Sequence, residues 1–365
     1  MGAFIERYLE ERGFSTQRQP LCGDRFNVLA QKGQGGRALL LSGHMDTVPA
    51  AEGWETDPWT PRIDGDRLFG LGACDMKGGL CAMLQAVEDV EPHGYTLKMA
   101  FLADEENISE GMHVLSQSGA LDGVVAVLVP ELGSAGPQEV GPRMLTLGRR
   151  GRVDLDIRVR GRATHAAYPE AGVSAALRAA TLALALERLP LERHPQLGPS
   201  SATLRDFVSR AKGLSLPDVA DLRIDRHLVP PETPESARRD MEHLVELLYQ
   251  EGQLSRADDM PITVAIPARR TPYLQPYATS QHDPFAQLVE TVVRERLGAV
   301  IYNYGLSVAD ENVYGAVLDL PVVVVGPAGG NSHAPDEWVS VASVEQLTDI
   351  YRAVLQEFLG ALQGA

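Results

Sequence analysis

Strand-like apolar runs recur along the chain, each closed by Gly, Pro or a charged residue. They are RALLLSG (residues 37–43), LKMAFLA (97–103), GVVAVLV (123–129) and PVVVVG (321–326). Runs of this length, rich in Val and Leu and bounded by such stops, predict buried strands. Stretches of helical period lie between and around them: residues 3–12, ending at Gly13, then 78–90, 284–298 and 341–362. Strand and helix in alternation predict an α/β fold, a mostly parallel sheet with helices on its faces.

The middle of the chain has another rhythm. Val153, Leu155, Ile157 and Val159 alternate with Asp154, Asp156, Arg158 and Arg160, the period of a half-exposed antiparallel strand. A helix over 173–189 follows, then strand-like ATLRDFV (202–208) and ADLRIDRHLV (220–229), a helix over 235–250, and strand-like PITVAI (261–266). The order β-α-β-β-α-β is ferredoxin-like. The expected organisation is therefore a discontinuous α/β domain, residues 1–147 and 269–365, with an α+β unit inserted at 148–268, the junctions falling near Gly148 and Ala268. The outer sheet face of that insert is a candidate dimer surface. No internal repeat or low-complexity tract interrupts this plan.

Side chains that bind metals follow the apolar runs. His44 and Asp46 come after the first, Asp104, Glu105 and Glu106 after the second, Glu131 after the third and His333 after the fourth, with Asp75 in the Gly-rich GLGACDMKGG. In open α/β sheets, ligands bind beyond the carboxyl ends of the strands. Taken singly, each motif has a plain explanation: a loop histidine, a solvated acidic cluster, a turn aspartate. Their agreement in position and chemistry points instead to a metal site.

His44, Asp75 and Glu131 would serve one ion; Asp75, Glu106 and His333 would serve another, with Asp75 between glycines as the bridge. Three protein groups per ion leave room for water, as catalytic zinc requires. Mixed imidazole and carboxylate ligands suit two Zn²⁺, with Co²⁺ or Mn²⁺ as substitutes. Adjacent glutamates in an extended stretch point apart, so Glu106 can bind metal while Glu105 acts as general base. Asp46, two residues beyond His44, is placed to hold the second ring nitrogen of that histidine.

Composition narrows the function classes. With 365 residues, 44% hydrophobic and 22% charged, the chain reads as an ordinary soluble two-domain protein. A net charge of -16 argues against nucleic acid. No apolar stretch approaches the roughly 20 residues of a membrane span, and the acidic N-terminus is unlike a secretory signal, so a cytoplasmic protein is expected. Cys22, Cys74 and Cys81 lack CxxC spacing and read as reduced thiols, with Cys74 adjoining Asp75. No G-x-S-x-G elbow or phosphate-binding G-x-x-x-x-G-K-[ST] occurs.

The stretches SGHMDTVP, GLGACDMKGGLCAML, FLADEENISEGM, VLVPEL, GRRGRVDLDIRVRGRATHAAYPEAGVSA and VVGPAGGNSHAPDEWV together resemble the M20 metallopeptidases and aminoacylases. This family includes acetylornithine deacetylase, succinyl-diaminopimelate desuccinylase and glutamate carboxypeptidase. The resemblance implies a dizinc α/β catalytic domain, a ferredoxin-like lid that mediates a homodimer, and hydrolysis of an amide or peptide bond in an N-acyl amino acid or small peptide. It implies metal ligation by His44, Asp75, Glu106, Glu131 and His333, with Glu105 as base and Asp46 orienting His44. It adds His165, in GRATHAAYP, as the residue that stabilises the oxyanion. The rival expectation is a non-catalytic scaffold that kept the fold.

Three departures from the family pattern touch the start of the chain and the lid. The usual first helix and its iPS segment are largely absent. His227 stands where arginine is usual, in Asp225-Arg226-His227, and Leu214 where asparagine is common. Arg223, Arg226 and His227 are candidate substrate contacts, as is Asn331 beside Ser332 and His333. Arginine's bidentate fork on a carboxylate is hard to replace, so the acyl group and the amino acid are left open.

Overall fold

The computed structural model describes residues 1–132 and 140–363. It divides into two compact units: Met1–Arg149 with Ala278–Gly305 and Ala309–Ala365, and Arg150–Tyr277 with Leu306–Val308. The junctions expected near Gly148 and Ala268 thus fall at Arg149/Arg150 and Tyr277/Ala278.

The first unit is built on a mixed sheet whose centre is parallel. Strand Ala38–His44 pairs in parallel with Thr96–Leu102 on one side and Val124–Val129 on the other. Val322–Val324 continues the parallel run beside Val124–Val129. Every residue of Ala38–His44 is buried, which explains a continuous apolar run rather than an alternating one. The outer strands Ser15–Pro20 and Phe26–Gly33 pair antiparallel with each other, and the second joins Thr96–Leu102 antiparallel. Their mixed composition hid them in the sequence.

Helices Gly78–Ala86 and Val341–Gln363 pack against one another in this unit. Leu347, Ile350, Tyr351, Val354 and Leu355 recur at helical spacing and are buried. Each such side chain contributes roughly 1.5–3 kcal/mol on burial. Helix Pro284–Leu297 has local start and stop signals: the Asp283 carboxylate accepts the N–H of Phe285 and Ala286, Pro284 opens the first turn, and Gly298 ends it at φ 76°.

The second unit carries a four-stranded antiparallel sheet in the order 201–209, 219–228, 151–160, 262–265. With helices Ala175–Leu184 and Pro234–Gln250, this is the ferredoxin-like arrangement. Val153, Leu155, Ile157 and Val159 are buried and cluster with Ala179, Leu182, Met241, Leu244 and Leu248. The helix expected over 173–189 is shorter, changing to 3₁₀ geometry over Ala185–Arg188. Thr233 and Ser236 cap the second helix reciprocally. Among the described residues, no helix is long and apolar enough to cross a membrane.

Candidate metal centre

Adjacent parallel strands with aligned carboxyl ends deliver the acidic and imidazole side chains to one edge. His44 is the last residue of its strand, Glu131 lies two residues beyond Val129, and Asp104 to Glu106 follow Leu102. His333 arrives from the loop after Val324. The backbone is crowded here: a Cβ on Gly79 would come 2.1 Å from the Pro130 carbonyl oxygen, and one on Gly326 2.1 Å from that of Glu131. Glycine is needed at both positions for Glu131 to sit where it does.

Asp75 stands between the histidines. Its Oδ1 is 3.1 Å from His44 Nε2 and its Oδ2 is 3.1 Å from His333 Nε2. Glu131 Oε2 approaches His44 Nε2 to 3.2 Å, and Glu106 approaches His333 Nε2 to 3.0 Å. Ligand atoms of His44, Asp75 and Glu106 lie within 4.8 Å of one another. The structure thus brings together all five residues expected as ligands. Ser332 Oγ adds a hydrogen bond to Asp75 Oδ2 at 2.7 Å, a contact legible only as adjacency to His333.

His44 Nδ1 lies 3.1 Å from the main-chain oxygen of Asp46, which can only accept, so that nitrogen carries the proton. Its Nε2 faces carboxylate oxygens of Asp75 and Glu131, a position that takes positive charge either as a second ring proton or as a metal ion that displaces that proton. The 3.0–3.2 Å separations also suit ligands that share one ion, since bonds of about 2.0–2.2 Å at a tetrahedral centre put neighbouring donors roughly 3.3 Å apart. The donor set fits a metal pair.

The electrostatics show the same pull toward positive charge at both imidazoles. Burial opposes charge on His44, yet the carboxylates of Asp75 and Glu131 hold its pKa well above the usual imidazole value. Asp75 and Glu106 push His333 up to about 10. Burial acts against ionisation of Asp75, but His333 and His44 keep it below the ordinary carboxylate range. Glu131 is raised to about 7, mostly by burial and then by the charge of Asp75. Glu105 is lifted well above its usual value by burial, with repulsion from Asp310, Glu131 and Glu106 added. Asp310, also buried and raised to about 7 for the same reason, had no signature in the sequence.

Some expectations change in detail. Glu105 and Glu106 sit in a turn over 105–108, entered through Asp104 at φ 76°, not in an extended stretch. The Asp46 carboxylate lies 3.7 Å from His44 Nδ1 and accepts instead the N–H of Glu105 at 3.3 Å and of Glu106 at 3.2 Å. His44 is therefore oriented by the Asp46 main chain. Cys74 is buried, its thiol 3.4 Å from Glu337 Oε1 and directed to that carboxylate, and burial pushes its pKa far up.

The remaining candidates lie as follows. His165 is exposed, and its Nδ1 accepts the N–H of Ala167 at 3.1 Å, which puts the proton of a neutral ring on Nε2. Arg226 is 0% exposed and ion-paired with Glu232 at 2.7 Å, so its expected contact with substrate is replaced by a buried structural pair. Arg223 pairs with Asp156 at 2.8 Å. His227 Nδ1 is 3.5 Å from Asp225 Oδ1, and burial lowers its pKa. Asn331, at φ 58°, donates to the Asp336 carbonyl.

Comparison with known proteins agrees with this architecture. The model of peptidase family M20/M25/M40 matches residues 40–357. A succinyl-diaminopimelate desuccinylase of Sulfurovum sp. is 25% identical, covering 98% of this chain and 93% of its own. An acetylornithine deacetylase of Erwinia tasmaniensis is 26% identical, covering 96% and 88%. Among solved structures, the YXEP protein of Bacillus subtilis, a dinuclear metal binding peptidase, superposes with a TM-score of 0.72 at 16% identity, covering 98% and 92%. With the family model matched over most of the chain, the protein belongs to peptidase family M20/M25/M40.

Proposed function

We propose that the protein is a dinuclear metal-dependent hydrolase that cleaves an amide or peptide bond in an N-acyl amino acid or small peptide. The observation that carries this reading is the position of Asp75, one oxygen toward each imidazole, with Glu131 and Glu106 completing opposite sides. His44, Asp75 and Glu131 would hold one ion and Asp75, Glu106 and His333 the other, Zn²⁺ fitting the ligand mixture and Co²⁺ or Mn²⁺ substituting. When bound, such ions supply Lewis acidity, acidifying water and polarising a carbonyl.

The chain's own groups do the rest. Glu105 takes the proton of the attacking water and passes it to the leaving nitrogen. Its burial and acidic neighbours raise its affinity for that proton, as a base at near-neutral pH requires. His165 donates from Nε2 to the developing oxyanion. The names of the relatives support N-acyl amino acids as the substrate class. A homodimer is proposed through the insert, where the outer strand Ser201–Ser209 exposes Leu204, Phe207 and Val208.

The test is metal analysis joined to a substrate panel. Protein purified without chelator should contain two ions per chain. It should release amino acid from one or more N-acetyl, N-succinyl, N-formyl or N-carbamoyl amino acids or dipeptides, and stop when chelated. Less than one ion per chain with no turnover would favour a non-catalytic protein that kept the fold.

A further inference from the structure

Glu337 was singled out by no sequence pattern, yet it is only 1% exposed and its carboxylate is fully engaged. Oε2 accepts the N–H of Gly72 at 2.7 Å, and Oε1 accepts those of Cys74 and Asp75, each at 3.0 Å. Its own carbonyl accepts the N–H of Gly70 at 3.0 Å. Main chain and side chain thus grip both ends of the segment 70–75. On the other side, Glu337 ends a tight loop in which Ala334 donates to the Asn331 carbonyl and Asn331 Nδ2 to that of Asp336. His333 lies within that loop, at φ 61°.

We propose that Glu337 is a positioning residue for the metal pair, holding the Asp75 turn in register with the His333 loop before any ion arrives. An anion placed beside Asp75 is electrostatically costly, and three N–H donors offset that cost only in this geometry. Because Asp75 faces both imidazoles, a shift of its turn is felt at both ion positions. It is felt more at the second, where Asp75 and His333 must move together. This inference rests on the reading that Asp75 and His333 share an ion.

The experiment titrates metal-free wild type and Glu337→Gln with Co²⁺, following heat and the visible cobalt spectrum. The amide places an NH₂ group against N–H donors, so the grip opens without loss of volume. The expected result is the ion on the His333 side weakened about tenfold or more and the ion on the His44 side weakened less, with an altered spectrum. On any substrate the wild type hydrolyses, kcat should fall, KM should stay within about twofold, and excess Co²⁺ should restore part of the rate. Two ions bound with wild-type affinities and spectrum would overturn the proposal while leaving the dinuclear reading intact. A wild type that takes up fewer than two ions would overturn both.

Hydrogen exchange of the metal-free wild type needs no variant. The amides of Gly72, Cys74 and Asp75 should be protected without metal; exchange at the rate of an open loop would also refute the proposal.

Discussion

The Asp46 carboxylate accepts the backbone N–H of Glu106 at 3.2 Å. Asp46 therefore serves two neighbours through two different groups: its main-chain oxygen fixes the His44 ring, and its carboxylate, which also takes the Glu105 N–H, fixes the turn that carries Glu105 and Glu106. Substituting Asp46 by Asn leaves the first contact and spoils the second, because one amide donor must face an N–H. Turnover should fall roughly 10–100-fold, while calorimetric titration still finds the ion on the His44 side. Unchanged kcat would remove the carboxylate from any functional role.

Glu105 is not needed as a ligand, so Glu105→Gln should retain two ions. Loss of a general base costs about 10²–10⁴-fold in kcat. Metal content and steady-state rates, measured on the same preparation, separate the two effects. A variant that kept its rate would take the base role away from Glu105.

His165 has its Nδ1 satisfied within its own turn, leaving Nε2–H as the donor. Truncation to Ala should lower kcat by about 10²–10³-fold, the usual loss of an oxyanion donor, with metal content and thermal stability unchanged. An equal rise in KM at constant kcat would instead mark a ground-state contact.

Asp66 accepts the hydroxyl of Ser340 and the N–H of Ala342, at the start of helix Val341–Gln363. The Ser340 hydroxyl and then the Ala342 N–H hold its pKa below the usual carboxylate value. A depressed folded pKa contributes stability above the unfolded value, about 3.9, and loses it as pH falls through the folded one. Asp66→Asn should therefore cost about 0.5–1 kcal/mol at neutral pH, the low end because the group is exposed. Thermal melts of the two proteins should converge in strong acid; a gap that widened on acidification would contradict this linkage.

Much of the candidate site was readable because the residues expected as ligands follow apolar runs. Val and Leu in unbroken series report strands buried on both faces, and the parallel sheet sends their carboxyl ends to one edge, so His44, Glu106, Glu131 and His333 could be collected in advance. The ferredoxin-like insert was equally plain, since Val153 to Val159 alternate and the strand-like and helical stretches follow in β-α-β-β-α-β order. The flanking strands Ser15–Pro20 and Phe26–Gly33 were not, because polar residues interrupt any clean period there.

By itself, the sequence determined the central strands of the first unit, the β-α-β-β-α-β order of the insert and which residues to expect as metal ligands. All of these follow from local periodicity and from which side chain follows which strand. Only the tertiary structure decided which groups touch. It gave His44 Nδ1 to a main-chain oxygen, buried Arg226 on Glu232, and closed Glu337 around the Asp75 turn across some 260 residues of chain. The physical reason is that periodicity records only which face of an element is buried, whereas a buried polar group takes whatever partner the packed chain brings within about 3 Å, whether two residues away or 262, and the pattern of apolar and polar positions carries no record of that partner.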